Sequence, residues 1–146
     1  MSRNYVRAGM AGMALAGLVS MALPAAAEKL AFAADLKAAS EVPPNKSIGT
    51  GAVAAAYDTA SKKLEWTVTY AGLTGAVTGA HFHGPADATK NAGVAIAIPG
   101  EASPMAGSAT LTDAQAADLM AGKWYVNVHT AANKDGEIRG QVMKNK

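Results

Sequence analysis

The chain has 146 residues, with 13 basic and 11 acidic side chains, three histidines and no cysteine. Disulfides, thiolate nucleophiles and cysteine metal sites are therefore excluded. No basic run interleaved with aromatic residues occurs, so nucleic acid is not an expected partner.

Residues 1–27 read as a signal peptide. Arg3 and Arg7 supply a basic start, Ala8 to Leu23 an apolar run, and Pro24-Ala25-Ala26-Ala27 a small-residue end, which places cleavage before Glu28. An uncleaved anchor is the alternative. No later stretch is apolar and long enough to span a bilayer, so the processed chain is expected in the periplasm or outside the cell. Cleavage removes two basic residues and no acidic one, which brings the side-chain charge to zero. The basic character of the precursor thus owes much to its leader.

Residues 28–146 suffice for one domain with one core. Period-two alternation marks strands: Leu30 to Leu36, then Val53 to Tyr57 and Leu64 to Tyr70 as a hairpin around the polar turn Asp58 to Lys62. Ala80 to His83 and Val94 to Ile98 follow. Thr112 and Gln115 fit a capping box, predicting a short helix to Met120 or Ala121 that stops at Gly122. Trp124 to Thr130 and Glu137 to Met143 close the chain as a hairpin about Asp135-Gly136. Seven or eight strands and one helix predict an all-β sandwich.

Side chains alternate across a strand, so each strand divides into two faces before any tertiary structure is known. His81 and His83 lie opposite Ala80 and Phe82. Tyr125, Asn127 and His129 lie opposite Trp124, Val126 and Val128, and Glu137, Arg139 and Gln141 opposite Ile138, Gly140 and Val142. The apolar sets belong to the core, which leaves the polar sets on outward faces. If the His81 strand pairs near the last hairpin, His81, His83 and His129 form a three-imidazole cluster.

Such a set suits a transition metal. Copper leads on affinity order, zinc is the second choice, and exposed histidines that bind no metal are an equal alternative. Tyr125, Asn127 and Glu137 are candidate partners that orient the rings. Glu137 and Arg139 also read as a solvated ion pair. Met105, Met120 and Met143 are too dispersed for a methionine copper motif and read as packing residues. No nucleophile elbow, phosphate loop or zinc helix occurs.

Taken in order, His81-Phe82-His83-Gly84-Pro85, Gly93-Val94-Ala95, Trp124-Tyr125-Val126-Asn127-Val128-His129-Thr130 and Gly136-Glu137-Ile138-Arg139-Gly140-Gln141 resemble the CHRD domain family. The resemblance covers about residues 28–143. It implies an immunoglobulin-like Greek-key sandwich with distant similarity to copper-zinc superoxide dismutase. By that similarity His81, His83 and His129 look like copper ligands and Arg139 like the anion-guiding arginine. The bridging histidine, the zinc ligands and the cysteine pair of the dismutase have no counterpart.

The leading expectation is an exported, non-enzymatic binding module with one copper for metal capture, delivery or sensing. A copper-dependent redox enzyme is the first alternative. A metal-free module that binds a protein partner in the envelope or the medium is the second, and the sequence leaves the oligomeric state open.

Overall fold

The computed structural model describes residues 26–146. The expected leader lies almost wholly outside these residues. Among them, no helix is long and apolar enough to cross a membrane.

Among the described residues, nine strands and one α-helix follow in chain order: β1 Lys29–Lys37, β2 Thr50–Asp58, β3 Lys63–Ala71, β4 Val77–His83, β5 Val94–Ala97, β6 Met105–Thr110, α1 Asp113–Met120, β7 Tyr125–Thr130, β8 Ile138–Gln141 and β9 Met143–Lys144. All pairings are antiparallel and form one path, β5-β4-β7-β8-β1-β2-β3-β6, with β9 also on β1. The path nearly closes on itself as an all-β sandwich.

Local sequence explains the well-formed elements. β1 buries every second side chain, β3 buries Leu64, Trp66 and Val68 and leaves Tyr70 half-buried, and β2 places Val53, Ala55 and Tyr57 beside them. The turn between β2 and β3 is held by the Asp58 carboxylate, which accepts from the amides of Ala60 and Ser61 and from the Ser61 hydroxyl. At α1 both halves of the expected capping box form between Thr112 and Gln115.

The inward sets meet in one core that includes Phe32, Leu36, Leu64, Trp66, Phe82, Trp124 and Ile138. Trp66 and Phe82 pack edge to face with ring centres 5.2 Å apart. Each large apolar side chain removed from water contributes about 1.5–3 kcal/mol. This burial locks the register, because a slip of one residue would turn every inward side chain out.

Two boundaries differ from expectation. β6 has no large alternating residues, since only Met105 is fully buried and the rest of the strand is Ala, Gly, Ser and Thr. Pairing with β3, not its own pattern, makes it a strand. The last strand is broken at Val142, whose side chain enters the core while its amide bonds to the Trp124 carbonyl.

Candidate metal centre

Pairing of β4 with β7 and of β7 with β8 aligns the polar faces. His81 sits across from Asn127, which sits across from Arg139; His83 sits across from Tyr125, which sits across from Gln141. His129 lies across from Gly79, one pleat along. The three histidines named by sequence therefore meet on one face. One ligating atom from each lies within 4.8 Å of the others.

Solvent does not wash this face as expected. Tyr125, Asn127, Glu137 and Arg139 are all buried, and His83 is only 8% exposed. Segment 84–93 crosses over it. Arg139 donates to the Asn91 side-chain oxygen at 2.8 Å and to the carbonyls of Lys90 at 2.7 Å and Asp87 at 3.3 Å. Gln141 donates to the Ala86 carbonyl. Period-two patterning locates a face but not the loop that returns across it, which is why Asn91 and Ala92 were not legible as site residues.

The covering segment also sets the state of the imidazoles. His83 Nδ1 lies 3.0 Å from the Ala92 carbonyl, and His129 Nδ1 lies 2.8 Å from the Lys134 carbonyl. A carbonyl can only accept, so each Nδ1 carries the proton and each Nε2 presents a lone pair. His81 turns Nδ1 toward His129 Nε2 at 3.2 Å. Its Cε1–Nε2 edge rests near Gly79, where an added Cβ would sit 3.4 Å from Cε1 and 3.7 Å from Nε2. His129 Nε2 can then only accept, so His81 donates its Nδ1 proton to it, and ligation through His81 Nδ1 requires that proton to move to Nε2. The nitrogens that face one another are His81 Nδ1 and the Nε2 atoms of His83 and His129.

Two observations support a fit to a metal ion. His83 Nε2 is buried with no hydrogen-bond partner, a costly state that ligation would relieve. His81 and His83 also favour the neutral form that ligates. Burial, followed by the nearby His129 and His83, holds His81 below the usual imidazole range. Burial likewise lowers His83, against the Ala92 hydrogen bond that raises it.

The expected supporting residues divide. Tyr125 stacks on His83 with ring centres 4.9 Å apart and planes at 4°. Its hydroxyl receives the Ala92 amide proton at 3.1 Å, so one tyrosine steadies both the ring and the residue that fixes its tautomer. Arg139 places its guanidinium 3.5 Å from the Tyr125 ring centre. Fully buried and committed to segment 84–93, it acts as a clamp on that segment.

Glu137 touches no histidine. Its carboxylate accepts from Ser47, from both the amide and hydroxyl of Thr74, and from Thr130. It makes no ion pair with Arg139, which overturns the expected solvated pair. Instead it ties β8 to two loops. A residue missed by sequence, Glu41, is also buried here, with Oε1 lacking a partner. A carboxylate just before two prolines gave no signal of burial.

These features define an all-β sandwich with a histidine cluster beneath a covering segment, beside a cleft of about 350 Å³ lined by His83, Tyr125, Asn127, His129 and Lys134 among others. The chain belongs to the CHRD domain family, whose model matches residues 32–142. Neither a curated protein nor a solved structure matches it.

Proposed function

We propose that this chain is an exported binding module that holds one copper ion through His81, His83 and His129, for capture, delivery or sensing of the metal. The observation that carries the reading is the convergence of three ring nitrogens within 4.8 Å. Two of these rings are fixed in the ligating tautomer by backbone carbonyls. Three imidazoles without thiolate suit copper first and zinc second. The signal-type segment 1–27 supports export.

A dismutase-like enzyme is the weaker reading. An arginine that attracts a small anion must present free N–H groups to the metal's open side, whereas Arg139 is buried and three of its five N–H groups are engaged by Asp87, Lys90 and Asn91. Binding does not need that group.

Metal analysis after copper or zinc loading and dialysis tests the reading, with a His81→Ala/His83→Ala/His129→Ala variant beside the parent protein. About one copper per chain, lost in the variant, is the expected result. Zinc retained in place of copper would change the ion and keep the site. No retained metal in either protein would refute the reading and turn attention to a protein partner.

A further inference from the structure

We infer that Asn127 is the fourth ligand of this metal centre, its side-chain oxygen binding a divalent ion beside the three imidazoles and biasing the site toward copper(II) over copper(I). The inference rests on the three-histidine reading and assigns the ion's oxidation state.

The placement comes from register. Asn127 is the direct cross-strand neighbour of His81 and precedes His129 by two residues on the same face. His83 is its diagonal neighbour, across from Tyr125. Asn127 therefore stands among the three rings, and it lines the same cleft as His83 and His129.

The orientation of the amide follows from its other end. Nδ2 donates to the Asp135 carbonyl at 3.3 Å and lies beside Gly136, where an added Cβ would be 2.6 Å from it. Exchanging the two amide atoms would set oxygen against that carbonyl, so the assignment is determined chemically. Because the amide is planar, Oδ1 then turns away from the 133–136 turn.

Asn127 is 3% exposed, and its Oδ1 has no donor. His83 Nε2, also buried, has none either. Two acceptors without donors thus sit on diagonal neighbours of one face, each carrying partial negative charge. A cation satisfies both at once. A carboxamide oxygen is a hard donor, so it adds more to a divalent ion than to soft copper(I).

The first test needs no mutation. In 17O-enriched water, the copper(II) electron paramagnetic resonance spectrum of the purified protein should show splitting from three nitrogens and no 17O line broadening, since the amide oxygen of Asn127 does not exchange with solvent. Broadening by an equatorial water would overturn the inference. The second test compares affinities in competition with chelators. Asn127→Leu should weaken copper(II) roughly 10–100-fold while copper(I) affinity stays within about twofold. That raises the reduction potential by about 59–118 mV, at 59 mV per tenfold for one electron.

Equal loss of both oxidation states would make Asn127 a packing residue and overturn the inference. So would no loss of either. If Asn127→Leu fails to fold, the isotope measurement decides. Should the parent protein hold no copper at all, the three-histidine reading itself fails. Copper that depends on the histidines but ignores Asn127 refutes the fourth ligand alone.

Discussion

The two outer faces of this sandwich contrast sharply. On β1, β2 and β3 the outward residues are open to solvent, small ones such as Ala31, Ala33, Ala54 and Thr67 in the middle and charged ones such as Lys29, Lys37, Lys63 and Glu65 beside them. On β4, β7 and β8 they are large and polar, and the chain returns over them. The first face needs nothing beyond strand pairing and the core beneath it. The second must satisfy a hydrogen-bonding group at nearly every position, because burial makes each unpaired one costly. Side chains there are held from two sides, by the sheet and by the cover, which is the condition for fixed ligand geometry.

The contrast can be broken most severely at Gly140. β8 and β1 approach so closely there that an added Cβ would overlap the Asp35 carbonyl, with Leu36 3.0 Å away. Neither backbone can yield without parting the seam between the two halves of the sheet. Gly140→Ala should cost ~3 kcal/mol or more in urea unfolding. Ala54→Ser, on the open face, should stay within about 0.5 kcal/mol. Comparable losses at the two positions would dissolve the distinction.

Arg139→Ala tests the cover alone. The substitution leaves the Asn91 oxygen and two carbonyls without their donor and removes the group packed on Tyr125. Charge-assisted hydrogen bonds of this type contribute about 1.5–3 kcal/mol, so a stability loss of that size is expected. Hydrogen exchange should quicken across 84–93 more than across β2 and β3. Uniform acceleration over the whole chain would mean that Arg139 supports the core and not the cover.

Much of this arrangement was legible in the sequence for a definite reason. Alternation sorts each strand into faces whatever its neighbours are, so His81, His83 and His129 could be assigned to polar faces before any pairing was known. The capping box of α1 was equally legible, because all of its atoms lie within four residues. What escaped was long-range. Ala92 reaches His83 through a backbone carbonyl, which no residue type advertises. β6 borrows its strand character from β3. Arg139 looked like a solvent-facing cation because its loop partners are chosen by the path of the chain and not by spacing.

Glu41 and Glu137 give the finest version of the comparison, since both are buried carboxylates on the covered side yet titrate in opposite directions. At Glu41 burial dominates; Arg139 and Asn127 oppose it only in part, and the acid is raised from 4.5 to about 7. At Glu137 burial also pushes upward, but the donors from Ser47, Thr130 and Thr74 together outweigh it and hold the acid at about 2. The folded state binds the Glu41 proton more tightly than the unfolded chain does. Its contribution is therefore complete below pH 4.5 and is lost as pH rises through about 7. The contribution of Glu137 has the reverse sign, being present above pH 4.5 and lost as pH falls through about 2. Glu41→Gln, which keeps a neutral side chain of similar shape, should flatten the decline between pH 5 and 7 and change stability at pH 5 by only about 1 kcal/mol. Glu137→Gln should instead weaken the acid limb. Urea midpoints measured from pH 3 to 8 separate the two. A shared direction would show that burial alone governs these carboxylates, and that the hydroxyl and amide donors around Glu137 do not set it apart.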